Sequence, residues 1–337
     1  MRSILTRGKA RLRRTASRMA SIARGDGDPL APGVVLDIDP GVPVITGAPP
    51  DHFLWLDRTS AARRIKTELR RGQLTPAEGE ILRGWAENGY AVIPQCIDHA
   101  LVDAALRDID RMWLERWRVI IDLLTGTCAR TTVDRCPPET RHSPHKLNHL
   151  DKFSDAVRGL FLHERIVRII SLIFRDEVVG VNSLTFQYGS QQTAHVDHVY
   201  MTPSPPRRMV AAWIALEDVQ PDSGPLEIWP RSHRLPPFKW NTPYPYHFSP
   251  PEQAAHAQYL ASQQPRFTPE RFLAKKGDVL LWHSMLAHGG TPIENSARTR
   301  LSMACHYFSR ECFGESVAEI ERRNGAWVTK TGVDDPD

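Results

Sequence analysis

The spacing of apolar residues changes once along this chain of 337 residues, near position 175, and that change limits the folds open to it. Before it, apolar positions recur three and four apart. Leu101, Ala105, Leu106, Ile109, Met112, Trp113, Trp117, Ile120 and Leu124 mark one long helix that Asp98 can cap, and Asp155 to Phe174 marks another. An earlier helix opens at Thr75-Pro76-Ala77-Glu78. There Thr75 and Glu78 form a capping box, with Pro76 at the first helical position. It runs to about Glu87 and stops at Asn88-Gly89, and Tyr90 to Pro94 then reads as a short strand. Residues 126–150 show no period and read as a loop region. After position 175 the runs Val178–Tyr188, Met209–Leu216, Leu226–Trp229, Val279–Trp282 and Leu301–Phe308 are short, β-rich and separated by Gly, Pro and Asp. Helices first and strands afterwards predict an α+β fold with an antiparallel sandwich or jelly-roll core and the N-terminal helices packed against it.

Charge narrows the partners. Residues 1–25 hold seven Arg and Lys9 and no acid, so the net charge of +4 on the whole chain leaves −4 on the remainder. A mildly acidic body lacks the basic face of a nucleic-acid-binding domain. The tail has no continuous apolar core and is not a secretory signal. Its readings are a disordered basic tail, which we favour, an amphipathic segment touching anionic lipid, or a transit peptide. Six Pro between residues 26 and 50 suit an extended lead-in. The expected organisation is therefore a tail and lead-in over 1–50, one catalytic domain over 51–320 and a C-terminal tail over 321–337. No apolar run reaches the roughly 18 residues of a membrane span. The five cysteines (Cys96, Cys128, Cys136, Cys305, Cys312) form no C-x-x-C pair. Free thiols in a reducing cytoplasm are expected, not a disulfide framework or a thiolate metal site.

The chemistry concentrates in two places. In Ala194-His195-Val196-Asp197-His198 an extended backbone would put His195 and Asp197 on one face and Val196 on the other. In Gly277 to Gly290 an apolar strand leads to His288 just before a Gly-Gly turn. Two imidazoles and a carboxylate on one face of an octahedral ion leave three positions open, the facial triad of non-haem Fe(II) oxygenases. Thiolates or a carboxylate cluster, which would point to other metals, are missing from both segments. His-x-Asp alone recurs by chance; its weight here comes from the distal His and the basic residue that follows it. His198 and His283 compete as ligands. His283 reads better as a packing or supporting residue, and His198 faces away if the strand stays regular.

Arg300 lies twelve residues past His288, at the start of the last strand. A guanidinium can pair bidentately with a carboxylate, here the distal carboxylate of 2-oxoglutarate. Arg298 shares its strand parity and is the rival. Gln187 and Trp213 either line the same pocket or pack in the core. Residues 236–266, rich in Pro and aromatics, form an insertion that could close over a substrate or lie on the surface.

With these residues in view, the chain resembles the phytanoyl-CoA dioxygenase family of Fe(II)/2-oxoglutarate oxygenases over about residues 74–308. The likeness begins with Leu74-Thr75-Pro76-Ala77-Glu78 through Pro94 and continues with His195-Val196-Asp197 and Trp213 to Asp218. Ser223-Gly224-Pro225-Leu226 through Pro230-Arg231-Ser232-His233, Gly277-Asp278 to His288-Gly289, and Arg300 to Tyr307 complete it. Arg231 stands where the family has Gly, and the turn between His288 and Arg300 is about one residue longer than usual. The resemblance implies a double-stranded β-helix, iron on His195, Asp197 and His288, and 2-oxoglutarate on Arg300. It also implies a structural His233, and consumption of 2-oxoglutarate and O2 to give succinate, CO2 and an oxidised small-molecule substrate. Related halogenases lack the carboxylate, so Asp197 favours hydroxylation or another oxidation. No basic cluster dedicated to coenzyme A phosphates is visible. The other readings are a different metal activity on the same fold, such as a zinc hydrolase, and a non-catalytic binding protein.

Overall fold

The computed structural model describes residues 54–124, 130–205, 207–235, 238, 250–314, 320–323 and 325–330. Six helices lie among them: α1 Ala61–Arg70, α2 Pro76–Asn88, α3 His99–Glu115, α4 Asp155–Phe161, α5 Glu164–Phe174 and α6 Pro250–Gln263. The strands are β1 Tyr90–Ile93, β2 Ile120–Leu123, β3 Arg130–Thr132, β4 His145–Asn148, β5 Val178–Phe186, β6 Met209–Ala215 and β7 Leu226–Ile228. β8 Glu270–Phe272, β9 Val279–His283, β10 His288–Gly290, β11 Ser302–Ser309, β12 Ile320–Arg323 and β13 Ala326–Thr329 follow.

A ten-stranded sheet in the order β1-β9-β6-β11-β5-β4-β2-β3, with the β12–β13 pair joined to β5, faces a three-stranded sheet, β10-β7-β8. All pairings are antiparallel except β13 with β5. Alternation along the central strands sorts their side chains into two layers. Val210, Ala212, Ile214, Val279, Leu281, Met303 and Cys305 pack outward against helix residues such as Leu82, Trp85, Met112 and Ile170. Ala211, Trp213, Ala215, Leu280, Trp282 and Ala304 point inward, toward Leu226 and Ile228 of the small sheet. Because both faces are covered, β6 is apolar throughout, and a buried polar residue on a neighbouring strand, such as His306 on β11, stands out. This is the expected α+β double-stranded β-helix with N-terminal helices on its outer face. Among the described residues no helix is long and apolar enough to cross a membrane. Cys96, Cys136, Cys305 and Cys312 are buried free thiols, and Cys128 lies outside the described residues.

The capping box forms as read. Thr75 N–H donates to Glu78 Oε2 at 2.8 Å, and Glu78 N–H donates to Thr75 Oγ1 at 3.2 Å. Other boundaries differ. The helix read through Leu124 ends at Glu115: Arg116 turns left-handed (φ 59°), and the β-branched run that follows enters the sheet as β2. Ile120 and Leu124 kept the helical spacing by coincidence. The supposed loop over 126–150 supplies β3 and β4, which widen the large sheet. The helix read over 155–174 is two, broken at Leu162 and His163, where His163 takes an extended conformation and begins α5. Ile320–Arg323 and Ala326–Thr329, all but Ile320 assigned to a tail, form β12 and β13. The expected tail and lead-in over 1–50 lie outside the described residues.

Gly89 ends α2 at φ 80°, and a Cβ there would stand 2.3 Å from His233 Nδ1. A left-handed backbone costs an ordinary residue about 1–2 kcal/mol, and overpacking about 1–3 more. Gly89→Ala is therefore expected to lower unfolding stability by roughly 2–5 kcal/mol in denaturant titration. A loss below about 0.5 kcal/mol, the range of neutral surface changes, would contradict the reading.

Candidate metal centre

The segment ahead of Asp197 pairs with β10 and adds an edge to the small sheet. His195 N–H donates to His288 O at 2.9 Å, and His288 N–H donates to His195 O at 3.0 Å. Residues directly opposite in an antiparallel pair put their side chains on one face. The two imidazoles accordingly lie 4.3 Å apart between ring centroids. Val196 stays extended and Asp197 opens the 3-10 turn Asp197–Val199. The strand argument thus holds for His195 and Asp197 and fails for His198, which sits in the turn. His198 is tied by its backbone N–H to Ser284 O at 2.9 Å.

Donor atoms of His195, Asp197 and His288 all fall within 4.8 Å of one another, and the three residues are buried. His288 Nε2 is 3.4 Å and His195 Nε2 3.7 Å from Asp197 Oδ1. Each imidazole is gripped from behind in the same way. The contacts are His195 Nδ1 to Thr193 O at 2.8 Å and His288 Nδ1 to Leu286 O at 2.9 Å, each carbonyl two residues upstream. A carbonyl only accepts, so Nδ1 carries the proton and the Nε2 lone pair faces the carboxylate, the tautomer a metal-ligating imidazole needs. Asp197 Oδ2 accepts a hydrogen bond from Trp282 Nε1 at 2.7 Å, and His306 Nε2 stands 3.7 Å from the same oxygen. Oδ1 is left facing the two histidines.

Burial and charge are in tension here. Burial pushes His195 down to about 3, and His288 beside it adds to the effect. Burial opposes ionisation of Asp197, yet His288 and His306 outweigh it and hold the carboxyl well below its ordinary value. Burial likewise opposes a charged His288, but Asp197 prevails and raises it.

Arg300 is 2 % exposed. Its backbone N–H donates to Gln187 O at 2.8 Å, its Nη1 donates to Gly224 O at 3.2 Å, and its guanidinium lies 5.5 Å above the Trp213 ring. Nε has no partner, and among the described ion pairs none involves Arg300. Burial lowers this guanidinium to about 10 against the opposing charge of Glu217. The Glu217 carboxylate itself is taken up by Leu301 N–H and the Thr299 hydroxyl. Arg298, by contrast, is exposed and paired with Asp222 at 3.0 Å. The structure therefore brings Arg300, Trp213 and the Gln187 backbone together and leaves Arg298 outside. His283 and His233 lie in a separate buried cluster, 5.5 Å apart between ring centroids. Trp282 and His306, which touch Asp197, carry no local sequence signal; only the strand register, Trp282 and His306 both opposite Ala211, brings them there.

The described part of the 236–266 insertion is mostly α6. It packs through Leu260 onto Val196, Val199, Trp229 and Ala287, behind the ligand-bearing segments.

Two imidazoles and one carboxylate converging inside a double-stranded β-helix are the donor set of facial-triad non-haem iron proteins. The chain belongs to the phytanoyl-CoA dioxygenase (PhyH) family, whose model matches residues 85–301. It is 20 % identical over 249 residues to the peroxisomal phytanoyl-CoA dioxygenase of Mus musculus, covering 71 % of each chain. To the Rattus norvegicus protein of the same name it is 26 % identical over 137 residues, covering 40 % of this chain and 38 % of that one. Its fold is similar to that of the non-haem alpha-ketoglutarate-dependent carbocyclase SnoK from nogalamycin biosynthesis, with a TM-score of 0.54, 18 % identity and 71 % and 85 % of the two chains covered. The epimerase SnoN in complex with Fe3+, alpha-ketoglutarate and nogalamycin RO matches with a TM-score of 0.52, 18 % identity and coverage of 74 % and 92 %. EctD from S. alaskensis with bound Fe gives a TM-score of 0.52, 15 % identity and coverage of 91 % and 96 %.

Partners that orient metal ligands are commonly worth about 10–100-fold in metal affinity. Trp282→Phe, which removes only the donor to Asp197 Oδ2, is expected to weaken Fe(II) binding by that order in anaerobic equilibrium titration, with folding intact by circular dichroism. Unchanged affinity would mean that Trp282 packs beside the site without orienting it.

Proposed function

We propose that this protein is an Fe(II)- and 2-oxoglutarate-dependent oxygenase that hydroxylates a C–H bond of a small molecule. The observation that carries the reading is the pairing of a buried His195–Asp197–His288 triad with a buried guanidinium that has no counter-ion. His195 and His288 would hold the metal through Nε2 and Asp197 through Oδ1, each already aimed by its own hydrogen bond. When bound, iron with 2-oxoglutarate and O2 couples oxidative decarboxylation of the keto acid to succinate and CO2 with oxidation of a substrate C–H bond. Arg300 would take the distal carboxylate, and Trp213 would support the guanidinium from beneath.

The spacing of these groups supports that assignment. Trp213 is level with Ala304, and Ala211, level with Trp282 and His306, lies two residues before it on β6. Two residues of strand cover about 6.6 Å, comparable to the length of a five-carbon dicarboxylate. At the level of Trp213 the inner wall is apolar over Leu184, Leu280 and Ala304. Such a wall excludes water and strengthens the electrostatic contacts at both ends. With iron bound, Asp197 would fill the position that a halide would need, which favours oxygen transfer over halogenation. The relatives above, solved with iron or with Fe3+ and alpha-ketoglutarate, add support from the same fold.

The test is an anaerobic titration of metal-free protein with Fe(II) and then 2-oxoglutarate, followed by the visible charge-transfer band of the chelated keto acid. The band is expected in wild type and absent in His195→Ala. No band in folded, metal-loaded wild type would sink the oxygenase reading in favour of another metal activity or a binding protein. Arg300→Met separates site from scaffold. Replacing an uncompensated buried charge with an apolar side chain of similar length is neutral or stabilising. The variant should therefore melt no lower than wild type in the absence of ligands, while the band should need at least about 10-fold more 2-oxoglutarate, as lost charge-assisted bonds imply. A lower melting temperature with unchanged 2-oxoglutarate demand would make Arg300 structural.

A further inference from the structure

Asp57 closes the 3-10 turn Trp55–Asp57, ahead of α1 and ahead of the residues that the family model matches. Its side chain is buried, and its Oδ2 accepts the Leu54 N–H at 3.2 Å and lies 3.5 Å from His283 Nε2. His283 itself is fully buried at the end of β9. Met285 N–H donates to His283 Nδ1 at 2.9 Å. A neutral imidazole that accepts on Nδ1 carries its proton on Nε2, 3.5 Å from the Asp57 carboxylate. That buried nitrogen makes no hydrogen bond of normal geometry, and Asp57 is the acid that stands beside it; an unmet buried donor is costly. Burial opposes ionisation of Asp57, but His283, Arg207 and His233 outweigh it and lower its pKa.

What His283 holds in place is the turn between β9 and β10. Its ring grips Met285, and its carbonyl accepts Leu286 N–H at 2.8 Å. Leu286 O is in turn the acceptor that orients the His288 imidazole, at 2.9 Å. Within the same turn, Ser284 O accepts the backbone N–H of His198, the residue after Asp197. One turn therefore touches both halves of the triad, and its fixed end is an imidazole whose second nitrogen faces Asp57. We infer that Asp57 is a positioning residue for the metal centre, acting through His283 on the 284–287 turn that orients His288. This rests on the metal-site reading proposed above.

The test uses the full chain, stripped of metal and titrated with Co(II), whose d–d absorption reports binding, and melted with and without saturating Co(II). Asp57→Ala is expected to weaken Co(II) binding about tenfold, the lower end of what an orienting partner contributes, and to shrink the rise in melting temperature that Co(II) produces. Asp57→Asn keeps an acceptor for the His283 N–H and should bind as wild type does. His283→Asn keeps an acceptor for Met285 N–H but loses the link to Asp57, so it should fall with Asp57→Ala; it decides the matter alone if Asp57→Ala does not fold. A residue that merely anchored the N-terminal turn would lower the melting temperature equally with and without metal. Wild-type Co(II) affinity in Asp57→Ala or His283→Asn, or loss in Asp57→Asn as large as in Asp57→Ala, overturns the inference. Wild-type protein that takes up no Co(II) sinks the metal-site reading and this inference with it.

Discussion

Two backbone hydrogen bonds, running in opposite directions between His195 and His288, join segments that are far apart in the chain and place both imidazoles on one side of the small sheet. Much else at the centre is arranged around that pair. The acceptors that orient the rings, Thr193 O and Leu286 O, sit two residues before each histidine, so one local geometry is used twice. Gly289, next along, lies so close to the opposite segment that a Cβ would meet Gln192 O at 2.9 Å. The close approach needed to pair the two segments leaves no room there for a side chain.

Much of the inner face of the large sheet is apolar, and polar residues on it such as Asp122 and Asn148 are hydrogen-bonded to each other, because a buried polar group is costly unless paired. Asp197 is compensated: Trp282 donates to one oxygen and the imidazoles surround the other. Arg300 is not. Its guanidinium has one carbonyl, an aromatic ring and an idle Nε, with the nearest acid committed to Leu301 and Thr299. A buried, incompletely paired cation is a stability liability that an apolar side chain would remove. Under the function proposed above, a ligand carboxylate would complete the pair.

Those same physical conflicts explain what could be read from the chain. His195, Asp197, His288 and Arg300 stand out by their order and spacing, a His-x-Asp followed by a distal His and then an Arg, and the strands were legible because covered faces leave largely hydrophobic segments. Local spacing said nothing about chain reversal at Arg116, so the apolar positions 117–124 extended a helix that had already ended. Strands β3 and β4 escaped notice because each is short and its sequence, Arg130-Thr131-Thr132 or His145-Lys146-Leu147-Asn148, is mostly polar. Trp282, His306 and Asp57 were invisible for a different reason. Their roles depend on which strand lies beside which and at what register, and periodicity along one segment carries no such information. Arg298 and Arg300 share strand parity, and only burial separates them.

A three-ligand site holds a metal less firmly than a closed four-ligand one, because it must keep positions open for other molecules. What it gives up in donors it can regain by having its ligands fixed before the metal arrives, since little conformational freedom is then lost on binding. The braces come from several elements. Trp282 and His306 reach Asp197 from the large sheet, α6 packs Leu260 against Val196 and Ala287 from behind, and the 284–287 turn ties His288 to the backbone beside Asp197. Each fixes a different degree of freedom: the carboxylate rotamer, the depth of the ligand strands and the tilt of the second imidazole. The N-terminal turn that carries Asp57 lies far from the ligands in sequence, yet it contacts the last of these braces through His283. The N-terminal turn on the outer face therefore does more than cover the sheet; through Asp57 and His283 it contacts the turn that orients His288.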